Sequence, residues 1–93
     1  MILYILRSIE TQRYYVGSTE DLGYRLEEHN HPKKNRSRWT RTGGPWEVVY
    51  SRSFHLGSSA RRAEKFVKSM KSREFIGKLI SGEYNLDRFD SPM

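Results

Sequence analysis

The sequence predicts one mixed α/β domain of the α+β type, with its elements in the order β-β-α-β-α-α. Residues 2–17 hold two runs of β-forming side chains around a short polar turn, which is typical of a hairpin. Residues 46–51 alternate between apolar and polar side chains like a third strand, and three other segments repeat apolar residues at helical spacing. A chain of 93 residues has room for one such domain.

Composition narrows the class of protein. The chain has no cysteine, which excludes disulfides and thiolate zinc sites and suits a reducing cytosol. Its apolar start, residues 1–6, lacks a basic leader and is far shorter than the ~20 residues that span a bilayer. We therefore expect a cytoplasmic protein with no membrane partner. The formal net charge of +6 indicates a polyanionic partner.

The hairpin supplies the first two strands. Residues 2–7 are apolar on both faces, which predicts a central strand that is covered on each side. Residues 13–17 are rich in β-forming side chains and form the second strand, which we expect to end at Gly17.

The next segment predicts the first helix. Ser18 or Thr19 can cap it, and it should run to about Asn30. At ~100° per residue, two polar side chains project beside its apolar stripe, one turn apart, so they can reach the same point in space. These side chains are Arg25 and His29.

The second half of the chain predicts a loop, a strand and two helices. The loop covers residues 31–45, after which Trp46, Val48 and Tyr50 should share one face of the third strand. A helix with a serine cap then begins near Gly57.

The two later helices complete the domain. In the first of them Glu64 lies on the apolar face, while the basic residues, Lys68 among them, line the other side. The last helix begins near Ser72. We expect the domain to occupy residues 1–82 and a polar tail, residues 83–93, to fray.

Polar residues at core-facing positions point to a site, because a buried charge without a partner is costly. Glu64 can hold a hard cation such as Mg²⁺, which often takes one or two protein carboxylates together with phosphate and water. Arg25 can stabilise charge on a phosphate, and a tyrosine or His29 can activate water. A structural interpretation is equally open: Arg25 and Glu64 can form an ion pair, and His29 can be an ordinary helix-end residue.

A second candidate site is basic and aromatic. Lysines and arginines surround Trp39 in the predicted loop, and others crowd the later helices. Positive charge beside a stacking platform favours a nucleic acid, although a charge run is frequently a solvated surface. The candidate nucleic-acid contacts are Lys33, Lys34, Arg36, Arg38, Trp39, Arg41, Lys68 and Lys71.

The order of these motifs resembles that of the GIY-YIG nuclease superfamily. Ile2-Leu3-Tyr4 is similar to a variant of its first tripeptide without the glycine, and Tyr15-Val16-Gly17 is similar to the second. Arg25 and Glu64 lie where the family has its arginine and its metal-binding glutamate. The resemblance covers roughly residues 1–80, and the compact form is similar to small bacterial proteins of the YhbQ/YazA type (UPF0213-like).

The resemblance implies a three-stranded antiparallel sheet flanked by helices, one divalent cation, Mg²⁺ or Mn²⁺, and scission of a phosphodiester bond. It implies that Glu64 holds the cation and that Arg25 braces the scissile phosphate. By the same resemblance Tyr15 orients or deprotonates water and Tyr4 hydrogen-bonds within the site, with His29 as the alternative base.

Our first interpretation is a metal-dependent endonuclease acting on DNA, with branched, nicked or single-stranded DNA as candidate substrates. The alternative is a nucleic-acid-binding module with the same fold and little or no activity. Many family members carry an asparagine on the last helix, whereas the first asparagine after Glu64 is Asn85. A third interpretation is a protein-interaction domain whose basic loop meets an acidic partner, and the basic face also suits RNA.

Overall fold

The computed structural model describes residues 1–30 and 44–90. Its elements are β1 (Ile2–Ser8), β2 (Tyr14–Thr19), α1 (Leu22–Asn30), β3 (Trp46–Ser53), α2 (Gly57–Met70), α3 (Arg73–Ser81) and a short 3₁₀ helix (Asp87–Phe89). The predicted α+β class and the order β-β-α-β-α-α are confirmed. Within the described ranges, no helix combines the length and the apolar character needed to cross a membrane.

The strands form one antiparallel sheet in the order β2-β1-β3. β1 lies in the centre, as predicted, because its side chains are apolar toward both faces. Four consecutive residues of this strand are at most 2% exposed: Leu3, Tyr4, Ile5 and Leu6. Burying a large apolar side chain of this kind contributes about 1.5–3 kcal/mol, so β1 anchors the fold from both sides.

Each face of the sheet carries its own helical layer. On one side α1 packs over Tyr4 and Leu6, together with Trp46 from β3. On the other side α2, α3 and the 3₁₀ helix pack over Leu3 and Ile5. We call these sides the α1 face and the α2 face. Because successive strand residues alternate between faces, β1 and β2 each supply side chains to both.

A β-bulge divides β3. Ile5 lies opposite Tyr50 and the next residue of β1 lies opposite Val48, so the pairing skips Val49. As a result Trp46 packs on the α1 face, whereas Tyr50 packs on the α2 face. The prediction that Trp46, Val48 and Tyr50 share one face is therefore wrong, because periodicity assumes an unbroken alternation.

The end of β2 and the start of α1 differ from the prediction. β2 continues through Gly17 to Thr19. Neither Ser18 nor Thr19 caps α1; the side chain of Asp21 accepts a hydrogen bond from the backbone N–H of Tyr24 at 3.0 Å. Because Ser18 and Thr19 belong to β2, they do not cap α1, and Asp21 does so instead.

The two later helices, α2 and α3, differ in how their ends are capped. The predicted serine cap of α2 is wrong, since its N-cap residue is Leu56, which makes no side-chain hydrogen bond. The predicted start of the last helix near Ser72 is confirmed, and Ser72 caps α3 by accepting from the backbone N–H of Phe75 at 3.0 Å. Gly82 ends α3 with φ 84°, a left-handed conformation that glycine adopts without steric cost.

Residues 83–90 pack back onto the domain. Leu86 is fully buried in the core of the α2 face. Arg52 on β3 forms ion pairs with Asp87 at 2.7 Å and with Asp90 at 3.5 Å. The predicted fraying is therefore wrong for this segment, because it contains apolar side chains that pack on the core, Tyr84, Leu86 and Phe89, and two carboxylates that reach the same arginine.

We expect Leu86→Ala to lower the free energy of unfolding by about 2–5 kcal/mol, because it removes a fully buried side chain and leaves a cavity. Urea unfolding followed by circular dichroism measures the change. Leu56→Ala is the matched control, since Leu56 is 62% exposed and its truncation should stay within about 0.5 kcal/mol. Equal losses in both variants would contradict the placement of Leu86.

Candidate active site

The site begins with a close approach between β1 and β2. Tyr4 lies directly opposite Gly17 on the α1 face. A Cβ atom at Gly17 would lie 2.6 Å from the Tyr4 hydroxyl oxygen and 2.7 Å from Cζ, distances that no real side chain tolerates. The missing side chain lets the end of the tyrosine ring lie over β2, which is an edge strand. The glycine of Tyr15-Val16-Gly17 therefore has a steric role.

Tyr4 and His29 form a buried hydrogen-bonded pair. The Tyr4 hydroxyl lies 3.0 Å from Nε2 of His29, which is 1% exposed. Burial raises the pKa of Tyr4, so the phenol keeps its proton. Burial, with a further contribution from Arg25, lowers the pKa of His29 to about 4, so the imidazole is neutral at pH 7. The pair is therefore a hydrogen bond between two neutral groups.

Tyr15 completes the aromatic group. Its ring centroid lies 4.8 Å from that of His29 and 6.3 Å from that of Tyr4. The residue is half-buried, and among the described residues its hydroxyl has no hydrogen-bond partner. A hydroxyl in this position is open to water or to a ligand.

Arg25 lies one helical turn before His29, as predicted. It forms an ion pair with Glu28 at 3.5 Å, and its side chain is 43% exposed. Its Nε atom is buried without a hydrogen-bond partner in the described ranges. Beside the dominant effect of burial, its positive charge lowers the pKa of both Tyr4 and His29. The guanidinium therefore lies close to the pair and retains an unused donor.

Glu64 approaches from the α2 face. Its Oε1 accepts a hydrogen bond from Ser18 Oγ at 2.6 Å, and its Oε2 pairs with Lys68 Nζ at 2.7 Å. Ser18 follows Gly17 on β2 and so faces the opposite side of the sheet. The charge of Glu64 still raises the pKa of Tyr4, in addition to the larger effect of burial. The two faces therefore meet at the outer edge of β2.

The structure corrects two predictions about these charges. Arg25 and Glu64 form no ion pair with each other within the described residues; each pairs with a residue of its own helix. Lys68 does not line the side of α2 away from Glu64, because residues four apart lie on the same helical face. Sequence reasoning also missed Ser18, which stood out only as a helix cap.

The candidate nucleic-acid contacts divide into two sets. Lys71 lies at the end of α2 and lines a groove of about 380 Å³ together with Arg13, Tyr15 and Lys68. Lys71 itself adopts a left-handed conformation with φ 47°. The remaining contacts lie outside the described residues: Lys33, Lys34, Arg36, Arg38, Trp39 and Arg41.

The donor set of Glu64 fits a cation held through one carboxylate. No group of three or more His, Cys, Asp or Glu residues in residues 1–30 and 44–90 is placed to hold a metal ion. Mg²⁺ commonly binds through one or two carboxylates and completes its shell with water and phosphate. The ammonium of Lys68 already occupies the Oε2 side, which demonstrates that this oxygen attracts positive charge.

Comparisons with known proteins agree with this geometry. Residues 1–76 match the GIY-YIG catalytic domain, which makes this a small nuclease-type domain. A UPF0213 protein of Oceanobacillus iheyensis is 37% identical over 68 residues, which cover 73% of this chain and 76% of that protein. No solved structure gives a significant match.

The chain belongs to the GIY-YIG family, as a small UPF0213-like member. The resemblance drawn from the sequence motifs is confirmed, and so is the implied three-stranded antiparallel sheet. The family is of nuclease type, and its domain implies a nucleic-acid substrate.

Gly17→Ala should lower the free energy of unfolding by about 1–3 kcal/mol, because the new methyl group overlaps the end of the Tyr4 ring. Gly77→Ala is the matched control: no atom lies within 4 Å of a Cβ at this helical position, and we expect a gain of about 1 kcal/mol. In a Tyr4→Ala background the Gly17→Ala cost should largely vanish, since the clashing ring is gone. An equal cost with and without Tyr4 would contradict the contact.

The buried His29 should make the protein less stable in mild acid. Its pKa is about 4 in the folded protein and 6.5 ordinarily, so between these values the unfolded chain binds the proton first. Stability is complete above about pH 6.5 and falls as the pH drops toward 4. Urea unfolding of wild type and His29→Gln across pH 4–8 tests this, and we expect the variant to have the shallower profile. Parallel profiles would contradict a buried neutral histidine.

Proposed function

We propose that the protein is a metal-dependent endonuclease that hydrolyses DNA phosphodiester bonds at branched, nicked or single-stranded structures. One observation carries the proposal: a guanidinium, a carboxylate and a tyrosine–histidine group lie around the outer edge of β2, where they suit a phosphate ligand, a cation ligand and a proton acceptor. The side chains concerned are Tyr4, Tyr15, Arg25, His29 and Glu64. Membership of a nuclease-type family supports the reaction class.

Arg25 is the candidate phosphate ligand. A guanidinium presents five donors in a fixed fork and binds phosphate oxygens in pairs. The side chain is 43% exposed, and its Nε lacks a partner among the described residues. It can therefore reach a phosphate while it keeps its ion pair with Glu28. Its charge then offsets the negative charge that develops on phosphorus-bound oxygens during attack by water.

The aromatic group supplies the proton acceptor in this proposal. The Tyr15 hydroxyl, which has no partner within the described ranges, positions the attacking water. The Tyr4 hydroxyl is hydrogen-bonded to Nε2 of the neutral His29. In the tautomer with the imidazole proton on Nδ1, the Tyr4 oxygen can take a proton from water as its own proton passes to Nε2. His29 is thus the final base, and Tyr4 connects it to the water.

Glu64 is the candidate ligand of the divalent cation, which we propose to be Mg²⁺ or Mn²⁺. When bound, such a cation polarises the phosphate and stabilises its added negative charge. Ser18 fixes the orientation of the carboxylate through the 2.6 Å hydrogen bond to Oε1, the kind of support that ligand carboxylates commonly receive. The other oxygen faces the side of the site where Lys68 lies.

A second candidate function is nucleic-acid binding with little or no cleavage. The observation that favours it is the engagement of both Glu64 oxygens, since a cation that binds at Oε2 competes with the ammonium of Lys68. Asn85 also does not lie on the last helix, which ends at Ser81: it is exposed and accepts a hydrogen bond from the backbone N–H of Asp87. The basic surface can serve binding with or without chemistry.

Purified protein should nick DNA in the presence of Mg²⁺ or Mn²⁺ and stop when EDTA is added. Glu64→Gln and Arg25→Ala should each reduce the cleavage rate by about 100-fold or more, because each removes stabilisation of the transition-state charge. Binding of the same DNA, measured by fluorescence anisotropy, should persist in both variants. Glu74→Gln is the control, since Glu74 is an exposed carboxylate on α3 and should leave the rate unchanged.

Three outcomes separate the candidate functions when the assay uses single-stranded, duplex and branched DNA. Cleavage that survives both site variants would reject this site. Salt-sensitive binding without product at any metal concentration would support the binding module instead. The absence of both binding and cleavage would leave the protein-interaction interpretation.

A further inference from the structure

We infer that Lys68 is a placeholder for the divalent cation at Glu64, and that arrival of the cation releases Lys68 to contact the phosphates of a bound polynucleotide. The inference rests on the proposed function and extends it to the order of events at the site. It starts from one contact, the 2.7 Å ion pair between Lys68 Nζ and Glu64 Oε2.

Both oxygens of the Glu64 carboxylate are already engaged by a side chain while this ion pair lasts. Ser18 holds Oε1 at 2.6 Å and Lys68 holds Oε2, and the Glu64 side chain is only 20% exposed. A hydroxyl can remain beside a cation, whereas an ammonium and a divalent ion repel each other strongly at the same oxygen. Lys68 is therefore the group that must move.

Lys68 is able to move and has a second location to enter. Its side chain is 52% exposed on a flexible four-carbon stem. It borders a hollow beside Glu64, shared with Arg61 and Lys65, and it also lines the groove of about 380 Å³ that contains Tyr15. Its ammonium can pass from one to the other without a change in the helix.

The groove suits a phosphate chain. Arg13 and Lys71 add positive charge to it, Tyr14 and Tyr15 add aromatic surface, and no Asp or Glu is among the described residues that line it. Once released into this groove, the Lys68 ammonium meets no carboxylate among the described lining residues, so it can bind a phosphate.

The charges at Glu64 and Lys68 make binding of the divalent cation and binding of the polynucleotide cooperative. The Glu64–Lys68 pair is neutral, and replacing the ammonium by a divalent cation raises the local charge by two while Lys68 stays nearby. A polynucleotide then binds more tightly, and by reciprocity it must tighten the binding of the cation by the same factor. A pair that serves only to stabilise α2 predicts no such coupling.

Mn²⁺ binding measured by electron paramagnetic resonance on the full chain tests the inference. Lys68→Ala should bind Mn²⁺ about twofold more tightly than wild type, because no i,i+4 ion pair has to be broken. Lys65→Ala is the matched control: it removes the same charge from the same hollow, but Lys65 has no ion pair in the described part of the chain. Its affinity for Mn²⁺ should change clearly less.

The coupling is tested in the Arg25→Ala background, which prevents cleavage. A single-stranded oligonucleotide should tighten Mn²⁺ binding there, and Lys68→Ala should lose most of this effect while Lys65→Ala keeps it. Equal effects of Lys68→Ala and Lys65→Ala, or weaker Mn²⁺ binding by Lys68→Ala, would overturn the inference and leave the proposed function intact. Mn²⁺ binding unaffected by Glu64→Gln would overturn both the inference and the metal site of the proposed function.

Discussion

The close approach of Tyr4 to Gly17 is the constraint on which the candidate site depends. With 2.6 Å between the Tyr4 hydroxyl oxygen and a hypothetical Cβ, any side chain at position 17 would push the ring away from β2. The hydroxyl would then lose its 3.0 Å hydrogen bond to Nε2 of the buried His29, and losing a buried hydrogen bond is costly. Because His29 belongs to α1, the same contact fixes how that helix lies on the sheet. Arg25 lies one turn earlier in the same helix, so the contact fixes its position as well.

Two adjacent residues of the edge strand serve opposite faces of the sheet. Gly17 admits Tyr4 on the α1 face, and Ser18 holds Glu64 on the α2 face. A three-stranded sheet is narrow, so side chains from both layers can meet around its edge. This explains how a domain of 93 residues can assemble a polar site without opening its core. The apolar centre, Leu3 to Leu6, remains closed on both sides.

Local patterns predicted the parts of the fold that depend on local causes. The two-sided apolar run of β1, the start of the last helix near Ser72 and the one-turn spacing of Arg25 and His29 follow from periodicity and side-chain chemistry alone. The bulge at Val49 and the burial of Leu86 depend on partners distant in the chain, which no local pattern contains. The contact between Ser18 and Glu64 spans 46 positions and was equally hidden.

The charges of the site are balanced in a way that leaves room for ligands. Tyr4 keeps its proton and His29 is neutral, because burial disfavours the charged form of each. The two remaining charges are each paired within their own helix, Arg25 with Glu28 and Glu64 with Lys68. An ion pair between side chains one helical turn apart contributes only about 0.3–0.5 kcal/mol to stability. Replacing such a pair by a contact with a phosphate or a cation therefore lowers the free energy of unfolding only slightly. A direct ion pair between Arg25 and Glu64 would instead connect α1 with α2, and a ligand that broke it would disturb the packing of both helices.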